Sequence, residues 1–312
     1  MFNIIGRRKW YFLFSALIIV PGTLALVLWG LRLGIDFTGG SLVEVSFALP
    51  IATQDVRDAV ARQGLEASIV TTQDPSGRSS FIIRTKEVDT TQKNQLLSAL
   101  SGQFGAATED RFESVGPVIG QETARGAAFA VVGASTMILF YLWWAFRQVP
   151  KPWRYGACAV FALLHDALLV LGVWAILGRF FALEVDTLFV SAILTVVGFS
   201  VHDTIVVFDR VRENVSRFPG ESFERVVNFS ITQTLDRSLI TGLTALFTLT
   251  ALLFLGGPTI RNFVLVLLVG IVSGTYSSIF NASCLLVTWE TGELGRLFGR
   301  LAGRRRVEPA AA

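Results

Sequence analysis

Charge is scarce in this chain of 312 residues: Asp, Glu, Lys and Arg together make up 16% of it, against 52% hydrophobic residues, and the mean hydropathy is +0.56. A soluble globular protein carries about 25% charged residues, so that class is excluded and a membrane protein is expected. Cysteine and histidine are nearly absent, with two of each. Cys158 and Cys284 both fall in apolar runs, so neither a disulfide framework nor a metal-ligand cluster can be built from them, and no metal or cofactor is expected. The net charge of +3 reflects where basic residues flank apolar runs, not nucleic-acid binding.

Crossing about 30 Å of hydrocarbon takes roughly 20 apolar residues. Six runs qualify: residues 10–29, 126–146, 155–177, 187–208, 238–255 and 263–289. The first follows Arg7, Arg8 and Lys9 but is too long for a signal-peptide core and lacks a small-x-small cleavage site, so it reads as an uncleaved anchor. Lys and Arg are retained on the cytoplasmic side of short flanking segments. The N-terminus, the RQVPKPWR loop, residues 209–237 and the tail from residue 290 hold sixteen of the twenty-seven basic residues, whereas the two short opposite loops hold only Arg179 and Arg261. Both termini are therefore expected in the cytoplasm. The chain divides into an N-terminal segment and first span over 1–31, an exported domain over 32–125, spans two to six over 126–289, and a basic cytoplasmic tail over 290–312.

Within the exported segment the pattern changes from continuous apolar to half-buried. SLVEVSFA alternates with period two and reads as a strand; TQDVRDAVARQG sets Val56, Ala59, Val60 and Gln63 on one helical face and stops at Gly64. EASIVTT and SSFIIRT flank a turn at DPSG as a hairpin, TQKNQLLSALSGQFG reads as a second helix and AATEDRFESV as a last strand. The order β-α-β-β-α-β predicts a small ferredoxin-like α+β domain. Two stretches join it to the spans: GIDFTGG, with Asp36, Gly39 and Gly40, and VGP, with Gly116 and Pro117. Either these are simple turns, since glycine supplies positive φ and proline stops a strand, or they are hinges.

The chemistry sits in the apolar runs. Asp203 lies five residues before the end of its run, roughly 7 to 8 Å deep at 1.5 Å per residue. An ionisable group there costs about 2.5 to 3.5 kcal/mol on insertion scales, so it is a functional candidate with a partner to be named. Arg237, at the same level on the fifth span, is the expected partner. Thr241, Thr244 and Thr248 follow it in a polar stripe expected to face the bundle interior. The pair is either a proton-linked switch or a static ion pair that sets helix register. His165 and Asp166 sit midway along the third span, either in a proton path or with Asp166 accepting from Ser or Thr hydroxyls as a structural knot. His202 points about 100° away from Asp203 around the helix and need not share its partner. Gly270, Gly274, Ser277, Ser278 and Asn281 lie near one face of the sixth span, a pattern of close packing. GESFERVVNFSITQTLD suggests an interfacial helix acting as an elbow between the fourth and fifth spans.

Taken in order, GIDFTGG, VGPVIGQE, LLHDALL, VGFSVHDTIVVFDRVREN, SITQTLDRSLITG and GTYSSIFNAS resemble the SecF family, the smaller membrane subunits of the bacterial SecD and SecF accessory complex of the protein translocase, over nearly the whole chain. The resemblance implies the RND superfamily and a six-helix half-transporter in the bacterial cytoplasmic (inner) membrane. It implies assembly with SecD, the SecYEG translocon and YajC, and contact of the exported domain with the translocating preprotein. It also implies use of the proton-motive force, without a cofactor, to draw preproteins out of the channel after the SecA-driven stage, the family's key aspartate falling on Asp203 and its key arginine on Arg237. His202 stands where the family usually has Asn, and Ser238 where Thr commonly follows the arginine. The rival readings are a small-molecule efflux half-transporter and a purely structural translocase subunit. An intramembrane protease is disfavoured, because GFSV lacks the second glycine of a serine elbow and neither Asp166 nor Asp203 sits in a GxGD setting.

Overall fold

The computed structural model describes residues 3–73, 79–147 and 151–293. The expected DPSG turn, part of the RQVPKPWR loop and nearly all of the basic tail lie outside the described residues. Among the described residues six helices are long and apolar enough to cross a membrane: Ile5–Trp29, Pro117–Phe146, Pro152–Phe181, Thr187–Arg217, Phe223–Leu255 and Thr259–Glu290. We call the first α1 (Arg8–Trp29); short α2 (Ile35–Thr38), α3 (Thr53–Arg62) and α4 (Thr90–Phe104) follow. The later spans are α5 (Pro117–Phe146), α6 (Pro152–Phe181), α7 (Thr187–Arg217) and α8 (Phe223–Leu255). The sixth is α9 (Pro258–Tyr276) joined through a π-helical segment, Ser277–Ala282, to α10 (Ser283–Glu290). Contacts divide the chain into two compact units, one of residues 1–30, 131–176 and 188 onward, the other of residues 31–130 and 177–187.

The second unit holds β1 (Gly40–Phe47), β2 (Ala67–Gln73), β3 (Ser79–Thr85) and β4 (Ala107–Val115) in one antiparallel sheet of order β2-β3-β1-β4. With α3 and α4 as the two crossovers this is the expected ferredoxin-like α+β arrangement. Period-two alternation puts Val43, Val45 and Phe47 on the face that buries against Val56, Ala59 and Val60 of α3 and Leu96 and Leu100 of α4. Gln63 does not join that face: α3 ends at Arg62, and Gln63 is exposed at its C-cap. A capping box starts α4, Asp89 accepting from the Gln92 amide while the Gln92 side chain accepts from the Asp89 amide.

The GIDFTGG stretch is a packed junction in the second unit. Gly39 and Gly40 have φ of +71° and +120°, and a Cβ on Gly39 would stand 2.8 Å from the Pro117 Cα. Turn chemistry and close packing thus account for both glycines. Asp36 Oδ2 accepts from the Thr187 amide at 2.9 Å and its hydroxyl at 2.8 Å, capping the start of α7.

In the first unit the sixth span is the most buried of the six. Small residues let it approach α7: a Cβ on Gly270 would fall 2.1 Å from a Val196 methyl, and one on Gly274 would fall 3.1 Å from the Ser200 Cβ. α1 and α6 cross where Gly22 and Gly172 meet backbone to backbone. The Asn228 side chain of α8 accepts from the amides of Ile4 and Ile5 and so caps the N-terminal end of the first span.

One expectation is corrected here. Residues 209–237 do not form a loop with a separate interfacial elbow helix, because α7 continues to Arg217 and α8 starts at Phe223 and runs unbroken to Leu255. Polarity rises beyond residue 208 while helical spacing persists. Pairs at i,i+3, Asp209 with Arg212 and Arg210 with Glu213, brace the extension, and Asn214 reaches Ser230 and Gln233 of α8 at 2.9 Å each.

Glu184 lies between Arg32 (3.2 Å) and Arg84 (2.7 Å) in the second unit, its side chain 12% exposed. Burial pushes the Glu184 carboxyl above the usual carboxylate range, the two arginines opposing it only in part. Burial likewise holds the Arg84 guanidinium below its ordinary value. A raised carboxyl favours the fold at low pH, and that contribution is lost as pH climbs from the ordinary carboxylate range through the raised value. Arg84→Met removes the nearer counter-charge, so it should destabilise the protein most at neutral pH and least where acid neutralises Glu184. Glu184→Gln should flatten that pH dependence, as thermal unfolding of the detergent-solubilised chain at several pH values will show.

Candidate proton site among the spans

Two buried carboxylates, on α6 and α7, are held by hydroxyl donors. Asp166 is 0% exposed. Its Oδ1 accepts from Ser273 Oγ at 2.6 Å and lies 3.0 Å from the Nδ1 of its neighbour His165; its Oδ2 accepts from Ser200 Oγ at 2.5 Å and Ser277 Oγ at 2.6 Å. A carboxylate has about four lone-pair sites, so four donors fill its acceptor capacity. With Nδ1 donating to Asp166, the His165 Nε2 accepts from Asn281 Nδ2 at 2.9 Å. Asn281 also donates to Ser15 Oγ of α1 at 2.8 Å. Four spans meet in this network.

Asp203 is 8% exposed and has fewer partners. Its Oδ1 accepts from Ser238 Oγ of α8 and its Oδ2 from Ser278 Oγ of the π-helical segment, each at 2.6 Å. Two lone-pair sites are left over, so Asp203 has spare acceptor capacity that Asp166 lacks. The carboxylates are linked through the sixth span, where adjacent residues Ser277 and Ser278 serve Asp166 and Asp203 in turn.

The expected Asp203–Arg237 ion pair is not formed in this structure: Arg237 is exposed and has no carboxylate within 4.0 Å among the described residues. The reason lies in helix geometry. Ser238 is turned inward to Asp203, and its predecessor therefore points about 100° away. The threonine stripe turns with it, so Thr241, Thr244 and Thr248 are exposed in this chain instead of facing its own bundle interior. Thr244 and Thr248 satisfy their hydroxyls on the carbonyls four residues back. His202 is likewise exposed, away from Asp203.

The donors Ser200, Ser238 and Ser273 were not legible as partners, and Ser277, Ser278 and Asn281 read only as packing residues. The available signal was the recurrence of small polar residues at i and i+4, Ser273 and Ser277, beside the glycines of the sixth span. Because Asp166→Ala would strand three hydroxyls and a histidine nitrogen, it should destabilise the protein by about 3 kcal/mol or more, with Asp166→Asn costing less. Thermal unfolding of both variants in detergent checks the order.

Residues 95–292 match the family described as protein export membrane protein SecD/SecF, C-terminal, and residues 30–48 match the SecD/SecF GG motif, which contains Gly39 and Gly40. The protein translocase subunit SecF of Thermobaculum terrenum is 50% identical, over 100% of this chain and 99% of its own length. That of Anaerolinea thermophila is 42% identical, over 100% of both chains. The crystal structure of SecDF, a translocon-associated membrane protein from Thermus thermophilus, superposes with a TM-score of 0.81 at 34% identity, covering 93% of this chain and 39% of that one. This chain thus spans well under half of the SecDF polypeptide. With a multi-pass helical architecture, a GG motif and relatives matched end to end, the chain belongs to the SecF family of protein translocase subunits.

Proposed function

We propose that this chain works with a SecD partner in the bacterial cytoplasmic membrane, both termini in the cytoplasm, to turn the proton-motive force into late-stage movement of preproteins through SecYEG, with YajC as a further associate. The observation that carries the proposal is the contrast between the two carboxylates: Asp166 is saturated by four donors, while Asp203 has two and spare acceptor sites. Asp203 is the proton carrier. The drive is about 2.3 kcal/mol per charge for each 100 mV, comparable with a typical coupling energy of about 1 to 3 kcal/mol between two sites. One proton is therefore enough to bias two helix packings.

Arg237 senses the charge on that site, and its exposed position supports a second half-transporter as its cover. A guanidinium in a span is costly in lipid and is expected to face protein or water. Arg237, Thr241, Thr244 and Thr248 form one polar face of α8 that lipid would not satisfy, and SecD is the partner we assign to it. His165 stands in reserve as a relay, since it borders a cavity of about 480 Å³ together with Ser15 and Asn281. The α/β unit, in which the described residues show no catalytic grouping, is the part we assign to preprotein contact, with the GIDFTGG and VGP stretches joining it to the spans.

Asp203→Asn should abolish proton-driven export while leaving folding and SecD association intact. Arg237→Lys should retain part of the activity and Arg237→Ala little, with SecA-driven translocation in the absence of a gradient spared in all three. Export into inverted vesicles with and without a gradient measures this, and a normal proton-dependent rate in Asp203→Asn would overturn the proposal. Thr244→Trp, which puts bulk on the α8 face, should reduce co-purification with SecD several-fold; unchanged recovery would argue against that face as the interface.

A further inference from the structure

Asp203 holds two hydroxyls that look equivalent, each at 2.6 Å, but their alternatives differ. Ser278 Oγ also lies 3.2 Å from the Thr275 carbonyl, so its hydrogen has a second acceptor already in place. Ser238, 2% exposed, has Asp203 as its acceptor. When a carboxylate is protonated, one of its oxygens becomes a donor, and a hydroxyl pointing at that oxygen must turn around. Among the described residues, a second acceptor is already in place on the Ser278 side and not on the Ser238 side.

We infer that the proton resides on Asp203 Oδ2 and that Ser278 reads it by reversing its hydrogen bond. The inference rests on the assignment of Asp203 as proton carrier. In the ionised form Ser278 donates to Oδ2. In the protonated form the new Oδ2–H donates to Ser278 Oγ, and the Ser278 hydroxyl, its own O–H bond intact, rotates to donate to the Thr275 carbonyl. One O–H bond forms on uptake and the same bond breaks on release, while Ser238 remains a donor to Oδ1 throughout.

The placement of Ser278 gives this reversal a consequence. It is the second residue of the π-helical segment, a wide-turn geometry frequent at functional positions; the Ser278 carbonyl accepts from the Ser283 hydroxyl, five residues on, at 3.2 Å. Its neighbour Ser277 is anchored on Asp166. A change at Ser278 is thus applied to a segment anchored on Asp166 through Ser277 and on His165 and Ser15 through Asn281, so it is felt by the helices that carry those partners. The other titratable or charged groups on the packed elements are committed elsewhere or face outward. Asp166 is held by its own donors and Tyr276 donates to the Tyr11 carbonyl at 2.9 Å, whereas Asp236, Arg237 and His202 are exposed.

The test uses the assembled complex reconstituted in vesicles, with infrared difference spectroscopy across pH and proton-driven export measured on the same samples. The acid C=O band of Asp203 is identified by its loss in Asp203→Asn. Ser278→Ala should move that band to higher frequency and lower proton-driven export about tenfold or more. Ser278→Thr, which keeps a hydroxyl, should restore both. Ser238→Ala, which removes a donor from Oδ1 alone, should lower export less than Ser278→Ala does. An acid band unmoved by Ser278→Ala, or equal export losses in the two alanine variants, overturns the role of Ser278 while leaving Asp203 as carrier. The absence of any Asp203-dependent band overturns the carrier itself and this inference with it.

Discussion

A carboxylate enclosed by helices must find hydrogen-bond donors on them, because an unpaired charge in a low-dielectric interior is far more costly than a neutral polar group. That constraint organises the spans of this protein. Asp166 draws donors from its own helix, from α7 and twice from the sixth span, and Asp203 draws one each from α8 and the sixth span. Every donor from another helix is a serine, whose short side chain leaves one donor hydrogen and little choice of distance. Helix positions are therefore tied closely to the two carboxylates.

The sixth span bears most of this load, and its composition explains how. Glycines at 270 and 274 bring it against α7 at Val196 and Ser200, and close approach is what lets serine hydroxyls reach across. Small residues thus serve packing and chemistry together: a Cβ at Gly274 would press on Ser200, the residue that shares Asp166 with Ser277. The π-helical segment follows directly, supplying Ser277, Ser278 and Asn281 to three different partners. A widened turn at the point where two carboxylates are gripped is consistent with the frequent occurrence of such turns at functional positions.

The α/β unit follows a different logic. Its core is apolar and layered, with β1 and β3 against α3 and α4, and its charged cluster of Arg32, Arg84 and Glu184 is partly desolvated instead of sealed. Backbone shape matters more than side-chain chemistry at its GG motif, where positive φ at two successive residues and contact with Pro117 leave no room for a Cβ. The motif that marks the family is in this sense a steric requirement of the fold.

Much was determined by the sequence alone. The six spans follow from apolar runs long enough to cross a bilayer, the β-α-β-β-α-β order from local periodicity and turn residues, and Asp166 and Asp203 stand out because charge is rare in such runs. These are local properties, set by composition and by the repeat of a single element. Which neighbours the carboxylates meet was decided only by the tertiary structure. A step of one residue turns a side chain by about 100° around a helix, so whether Arg237 or Ser238 faces Asp203 depends on how α8 packs against α7 and the sixth span. The same azimuth sends Thr241, Thr244 and Thr248 outward, and the continuity of α7 and α8 past their apolar runs depends on pairs such as Asn214 with Ser230 that no local pattern announces. Helix rotation is fixed by contacts between elements distant in sequence, and for that physical reason the sequence identified the carboxylates while the fold chose their donors.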